Sequence, residues 1–509
     1  MDLGVAFGAF REGMFLSRIV RGCLTQRFFL SLLLLLASIG VACSRSEPAA
    51  IPAPEPPKHP NILFILTDDL DADSIKVMPQ LKSLLIEEGT LFANFFITTP
   101  LCCPSRTSIL RGQYAHNTQI FGNRIPHGGF KKVYSLGLEK STIATWLHAG
   151  GYKTTLIGKY LNGYPMKNSE TYVPPGWDEW YSPVGGQPHS GFNYTLNENG
   201  NLVSYGNSPK GYGTDVYHRK ATKFIRSAIK DGKPFFVYLS MYTPHRPATP
   251  APRHQDLFAG AEAPHPPSFN ESNVRDKPRY IRNLHPLNND QITKIDELYR
   301  RRLQSLQAID EMLANLVETL EGLGQLENTY IVFSSDNGYH LGHHRLRSGK
   351  QTPYEEDIRV PLVVRGPNVP VGQVIEHLTA NIDLAPTFAE WAGITAAAFV
   401  DGRSLVPLLS GISPVEDIWR QAILLERNTS GRHTPVPAFQ AIRTKDYKYV
   451  EYVTGERELY DLSKDAHELQ NISEMADPAL IQQLAARLIE LHRCAATSCR
   501  NTEDAPVSF

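Results

Sequence analysis

The sequence predicts an α/β protein: a mostly parallel central sheet sandwiched by helices, followed by a small antiparallel sheet and a closing helix. Four near-continuous apolar runs lie between residues 61 and 338, and each ends in charged or polar residues, as buried parallel strands do. Segments of helical periodicity separate them. After about Pro414 the texture changes to short runs divided by turns.

The first run, Asn61 to Thr67, ends in Asp68-Asp69. Met78 to Glu88 then carries Leu81, Leu84 and Leu85 at helical spacing, with Gly89 as a stop. A short run, Phe92 to Ile97, leads into Thr98–Gly112. There Pro104 suits a first helical turn, Ile109 and Leu110 follow, and Gly112 ends the helix. Cys102 is thereby expected at a helix N-terminus, where free N–H groups, the dipole and Arg106 lower a thiol pKa. The residues alone allow two readings, a reactive Cys102 or a small buried pair with Cys103.

Three more strands repeat the first pattern. Lys153 to Lys159 delivers a lysine, Pro234 to His245 a histidine, and Thr329 to Gly338 the pair Asp336-Asn337. Helices are expected over Thr214–Lys230 and Gln291–Leu323. Ligands in such sheets bind beyond the C-terminal strand ends, which groups Asp68, Asp69, Lys159, His245, Asp336 and Asn337 in one place. Trp177 to Gly213 lacks periodicity and reads as a long loop over that site. Pro244 to Pro267 reads as a proline-rich insertion. Near the C-terminus, Gln421–Glu426, Phe439–Arg443 and Tyr447–Tyr452 read as antiparallel strands, and Pro478–His492 as the closing helix.

The 509 residues carry a net charge of −1, so no broad field attracts nucleic acid or a long polyanion, and an anionic substrate must be held locally. Arg18, Arg21 and Arg27 precede an apolar run that small residues close, which is the pattern of a signal peptide over residues 1–43. Gly40-Val41-Ala42-Cys43-Ser44 has the look of a lipoprotein cleavage box, with Cys43 as a membrane tether. Residues 44–60, rich in Pro, Ala and Glu, form a linker. The main domain is expected over 61–412 and a C-terminal α+β subdomain over 413–509. Cys494 and Cys499 fit a local disulfide in an oxidising compartment, outside the cell or in the periplasm.

Asp68, Asp69, Asp336 and Asn337 are all oxygen donors, which suits calcium or magnesium better than zinc. Arg106, Lys159, His245 and Lys350 supply the positive charge and donors that a bound oxyanion needs.

Cys102-Cys103-Pro104-Ser105-Arg106 carries the Cys-x-Pro-x-Arg signature, and the chain resembles the type I, formylglycine-dependent sulfatases. Asp68-Asp69, Gly158-Lys159, Pro244-His245, Asp336-Asn337-Gly338 and Lys350 stand in that family's order. Thr99-Pro-Leu-Cys-Cys-Pro-Ser-Arg106, Gly158-Lys-Tyr-Leu-Asn162, Asp336-Asn-Gly-Tyr-His340 and Asp357-Ile-Arg-Val-Pro361 look most like the N-acetylglucosamine-6-sulfatases and extracellular heparan endosulfatases. The resemblance implies an alkaline-phosphatase-like fold and hydrolysis of a sulfate monoester. It implies that a formylglycine-generating enzyme converts Cys102 to formylglycine. It also implies one divalent cation, calcium favoured over magnesium, on Asp68, Asp69, Asp336, Asn337 and residue 102.

In the implied mechanism a hydroxyl of the hydrated aldehyde attacks sulfur, and His245 or Lys350 protonates the leaving alcohol. The second hydroxyl then loses its proton and sulfate departs. Many sulfatases carry Gly-Lys-Trp-His at the lysine strand and use that histidine in the last step. Leu161 stands there in this chain, which makes His116 the candidate base. The expected substrate is a sulfated glycan sugar such as 6-sulfated N-acetylglucosamine. Trp180, Tyr181, His189, Asn193 and Tyr194, with His340, His343 and His344, are candidate sugar contacts. An arylsulfatase of broad specificity, a phosphonate or phosphate monoester hydrolase, and a non-catalytic glycan-binding protein are the alternatives.

Overall fold

The computed structural model describes residues 59–411, 418–428 and 435–506. The expected signal segment 1–43 with Cys43, the linker as far as Lys58 and the 412/413 boundary lie outside the described residues. No described helix is long and apolar enough to cross a membrane.

The strands in chain order begin with β1 (Asn61–Thr67), β2 (Thr90–Phe92), β3 (Phe95–Phe96), β4 (Lys153–Gly158), β5 (Glu179–Gly186) and β6 (Tyr194–Glu198). They continue with β7 (Asn201–Tyr205), β8 (Phe235–Ser240), β9 (Thr329–Ser335), β10 (Leu362–Arg365), β11 (Gln373–Ile375) and β12 (Thr379–Ala380). The last four are β13 (Ala422–Arg427), β14 (Phe439–Thr444), β15 (Tyr447–Tyr452) and β16 (Arg457–Asp461). Ten strands form one sheet in the order β11-β2-β10-β9-β1-β8-β4-β5-β6-β7. Its centre, β9-β1-β8-β4-β5, is parallel throughout.

β1 is apolar without interruption because it has a parallel strand on each edge and helices on each face. Its side chains alternate between two cores. Ile62, Phe64 and Leu66 point to one, with Phe236, Tyr238 and Val332. Leu63 and Ile65 point to the other, with Val237, Leu239, Ile331 and Phe333. The first core is covered by the helices Cys102–Arg111, Ile143–Ala149 and Leu384–Trp391, through Cys103, Ile109, Leu110, Leu147 and Phe388. The second is covered by Gly213–Lys230 and Asn289–Gly322, through Val216, Phe224, Ile309, Leu313 and Leu316. Each such side chain contributes about 1.5–3 kcal/mol on burial, so this three-layer sandwich is set mainly by β1, β8, β9 and the helices that cap them.

The sheet register brings the strand ends level, with Leu66 opposite Ser240, Thr67 opposite Ser335 and Gly158 opposite Ser240. The acids after β1, the lysine after β4 and the Asp-Asn pair after β9 are therefore delivered to one edge. Gly158 is required for this. Its φ is +103°, and a Cβ there would lie 1.9 Å from the Ser240 carbonyl oxygen.

The region 177–213 departs from expectation. It is not a single loop: it carries β5, which pairs parallel with β4, and then β6 and β7, which extend the main sheet antiparallel from β5. Asn199 and Gly200 both have positive φ and connect β6 to β7 as a two-residue hairpin turn. As a result Trp180, Tyr181 and Tyr194 are buried in the cores and are not sugar-stacking surfaces. The segment after Met78 is also more local than a plain helix: Pro79–Leu81 passes into a wider turn over Lys82–Ile86, closed by Glu87 N–H on the Lys82 carbonyl.

The C-terminal region is an antiparallel sheet, β13-β14-β15-β16. Leu484, Leu488 and Leu491 of the Pro478–Arg493 helix pack on its Ile442, Val450 and Leu459. The fourth strand, Arg457–Asp461, and a helix at Thr497–Asp504 add to the expected set. Cys494 and Cys499 form a disulfide.

Candidate active site

The Cys102–Arg111 helix is buried along its whole length and ends on Gly112, whose left-handed backbone lets its N–H reach the Ser108 carbonyl. Arg106 projects from its second turn into the strand ends. Its Nε donates to Asp336 Oδ2 at 2.7 Å, and its Nη1 donates to the Lys159 carbonyl at 3.1 Å and to Ser240 Oγ at 2.5 Å. One guanidinium thus ties together the ends of β9, β4 and β8. Its Nη2 has no hydrogen-bond partner among the described residues.

Around it the structure brings together Asp68, Asp69, Cys102, Lys159, His245, Asp336, Asn337 and Lys350. Lys159 Nζ bonds Asp68 Oδ2 at 2.5 Å, and the other oxygen of Asp68 faces Cys102 Sγ at 3.6 Å. Asn337 Nδ2 donates to Asp69 Oδ1 at 2.7 Å. Lys350 Nζ contacts that same oxygen, Cys102 Sγ at 2.8 Å and Asn337 Oδ1 at 3.4 Å. His245 Nδ1 bonds the Arg246 carbonyl at 2.7 Å, which assigns its proton to that nitrogen and leaves Nε2 3.6 Å from Asp69 Oδ2.

The electrostatics are those of buried, opposed charges. Burial pushes the Asp68 carboxyl up, but Lys159, His245, Arg106 and Lys350 outweigh it and hold the group well below the usual carboxylate range. Burial and the neighbouring Asp68 raise Asp336 despite Arg106, Lys159 and Lys350. Burial opposes the charge on Lys350, yet Asp69 and its neighbours hold that ammonium well above the ordinary lysine value. The Cys102 thiol is pushed up to about 12, chiefly by burial, which Lys159 and Lys350 only partly offset. This runs against the expectation of a lowered thiol pKa: with the side chain fully buried, desolvation outweighs the neighbouring ammonium groups.

The donor set fits a divalent cation. Every candidate ligand on Asp68, Asp69, Asp336 and Asn337 is a hard oxygen, and ligand atoms of Asp68, Asp69, Cys102 and His245 lie within 4.8 Å of one another. The Lys350 ammonium already stands between Asp69 Oδ1, Asn337 Oδ1 and Cys102 Sγ, so positive charge is what this position selects.

His116 is not part of this cluster. It bonds Glu426 of β13 through Nδ1 at 3.1 Å and the Cys494 carbonyl through Nε2 at 2.9 Å, against the C-terminal sheet. Leu161 is a buried core residue. His340 is held by Asp357 at 2.9 Å and lines the cleft, whereas His344 is buried on Glu271. His343 faces a separate cavity. His189 packs its ring 4.7 Å from that of His245.

Two supporting residues are absent from the sequence reading. Ser240 is the strand-end hydroxyl that accepts from Arg106. Arg302 holds the Asp69 carbonyl at 2.7 Å and Asp71 at 2.9 Å. Its signal was available: a buried arginine one turn from Leu298 and one turn from Leu306, on the apolar stripe of a helix. The site opens into a cleft of about 940 Å³ that Asp69, His245, Tyr339, His340 and Lys350 share with loops 283–291 and 345–351.

Comparison with known proteins gives the family. The Sulfatase family profile matches residues 60–394, and the profile for the C-terminal region of N-sulphoglucosamine sulphohydrolase matches residues 342–494. An extracellular sulfatase Sulf-1 homologue of Caenorhabditis elegans is 38% identical over 384 residues, 72% of this chain and 52% of that one, so this chain spans about half that relative's length. Human N-acetylglucosamine-6-sulfatase is 34% identical over 481 residues, 87% of this chain and 86% of that one. A protein solved in complex with its substrate D-glucosamine-2-N,6-O-disulfate superimposes with a TM-score of 0.75 at 25% identity, covering 88% of this chain and 99% of the other. With the Cys102 helix, the strand-end carboxylates and these matches in hand, the chain belongs to the sulfatase family.

Proposed function

We propose that this protein hydrolyses sulfate monoesters of a sulfated glycan sugar, 6-sulfated N-acetylglucosamine first among them, at residue 102. The observation that carries the reading is the buried set of Asp68, Asp69, Asp336 and Asn337 beside Cys102, with Arg106, Lys159 and Lys350 around it. Relatives named as extracellular sulfatases and N-acetylglucosamine-6-sulfatases support it, as does a structural neighbour that binds a sulfated glucosamine. The same relatives support export of the chain.

Conversion of Cys102 to formylglycine by a maturation enzyme would supply a nucleophilic hydroxyl and a second hydroxyl that allows turnover. A calcium or magnesium ion on Asp68, Asp69, Asp336 and Asn337 would supply Lewis-acid polarisation of the sulfate. The protein's own groups do the rest. Arg106 holds the frame of strand ends. Lys159 and Lys350 keep their protons and act as fixed positive charge toward the developing anion. His245 lines the cleft with Nδ1 taken by the Arg246 carbonyl, so Nε2 is the ring nitrogen that takes a proton at residue 102, passes it to the leaving alcohol and is then free to take a second at residue 102. That assignment replaces His116, whose ring nitrogens face Glu426 and Cys494.

A matched panel of defined sulfated monosaccharides, an aryl sulfate and an aryl phosphate tests the reading. The expected result is fastest release of sulfate from 6-sulfated N-acetylglucosamine. An aryl sulfate cleaved far faster than every sugar would leave a general arylsulfatase, and preference for the phosphate would leave a phosphoesterase.

A further inference from the structure

The cleft above residue 102 is strongly one-signed, although the chain as a whole has a net charge of −1. Its lining includes His245, Arg246, His285, Arg345, Arg347 and Lys350, and Asp69 is the one acid among the described residues that line it. These residues come from separate stretches of sequence. Lys350 and His245 belong to the catalytic cluster. Arg345 is committed to structure, because its guanidinium donates to the carbonyls of Glu271, Leu284 and Ser272 at 2.7, 3.1 and 2.6 Å.

Arg246 and Arg347 are different. Both are exposed, and neither side chain has an ion pair or hydrogen bond among the described residues. Both also line an adjoining cavity of about 450 Å³, so the two arginines belong to the wall that the two spaces share. Asp290, Glu297, Lys294 and Arg301 enter only this outer cavity, and Asp290 is already paired with Lys294 at 2.7 Å. Arg246 directly follows His245, and Arg347 lies three residues before Lys350. A sugar whose sulfate is held at Lys350 and Cys102 has this wall within the same cleft.

We propose that Arg246 and Arg347 form a second anion subsite, which binds an additional negative group of the substrate while the sulfate at residue 102 is cleaved. The ligand class is a sulfate or carboxylate on the same or the next sugar, either of which a guanidinium grips through two parallel N–H donors. The inference rests on the sulfated-sugar reading above and narrows it to substrates with more than one negative charge. Two exposed arginines sharing one anion are together worth about a tenfold gain in affinity.

The test is equilibrium binding to the full chain carrying Cys102→Ala, with calcium present, so that nothing is turned over. Three probes are compared: 6-sulfated N-acetylglucosamine, N,6-O-disulfated glucosamine, and a 6-sulfated disaccharide with a neighbouring uronate. The expected result is about tenfold tighter binding of at least one doubly anionic probe than of the singly charged one, and loss of that gain when Arg246→Ala and Arg347→Ala are added. Gain for the disulfate alone identifies a second sulfate as the ligand, and gain for the disaccharide alone a carboxylate. Equal binding of all three probes, or a gain that survives both substitutions, overturns the subsite. Failure of the parent reading looks different: the wild-type enzyme would release no sulfate from any sugar, whatever the binding ratios. Melting temperatures of the variants, expected to stay near the parent's, check the fold.

Discussion

Lys350 Nζ stands 2.8 Å from Cys102 Sγ, although the two residues are 248 positions apart in the chain. The contact places the Lys350 ammonium against that thiol, with Asp69 and Asn337 as its other partners. Even so, burial pushes the thiol up to about 12, and Lys159 and Lys350 only partly offset it.

Cys102→Ala is expected to abolish turnover, whereas Cys103→Ala should retain most of it. Cys103 is a core residue whose N–H is held by Asn123 at 3.0 Å, so its loss costs about 1–2 kcal/mol of stability and no chemistry. Steady-state kinetics on both variants decides, and loss confined to the Cys103 variant contradicts the assignment.

Lys350→Ala should lower kcat by about 10²–10³-fold with a smaller change in KM, as expected for a charge that acts mainly on the transition state. Lys350→Arg should not restore it, since the compact ammonium fits between three ligand atoms and a planar guanidinium does not. A Lys350→Ala enzyme with wild-type kcat removes the residue from the mechanism.

Removing the metal should remove activity, and calcium or magnesium should restore it. The cation would bind only the folded chain, so chelation should also lower the melting temperature, by the equivalent of about 2.7 kcal/mol when the free ion stands at 100 times its Kd. An active protein with no divalent metal by elemental analysis contradicts the site on Asp68, Asp69, Asp336 and Asn337.

Stability should fall as pH rises through the range set by Glu139. This carboxyl is buried beneath the lysine strand, where the hydroxyls of Tyr160 and Tyr172 donate to it at 2.9 and 3.2 Å. Burial raises it from 4.5 to about 7, against the effect of those two donors. The folded chain therefore holds a proton that the unfolded chain releases, and its contribution is present below 4.5 and lost as pH approaches 7. Glu139→Gln should flatten the decline in melting temperature across that window by about 2 °C. Identical slopes for the two proteins sink this account of Glu139.

The parallel core was legible because a strand buried on both faces must be apolar without a break, as in Ile62 to Leu66, and because each run ended in chemistry. The region after Trp177 was not, since its polar residues masked the alternation of Tyr194, Leu196 and Glu198, and the Asn199–Gly200 turn signal went unused. The thiol at Cys102 was misjudged because a helix N-terminus is visible in sequence and burial is not. The approach of Lys350 and the gathering of Arg246, His285 and Arg347 into one cleft depend on loop return paths, which no local pattern encodes.

The central claim is that residue 102 is the reacting group in its modified form. The mass of the proteolytic peptide spanning Cys102 and Cys103, taken from fully active protein, tests it most directly. The account predicts an aldehyde in place of the thiol at 102 and an intact thiol at 103. Fully active protein whose Cys102 carries its unmodified thiol would contradict it.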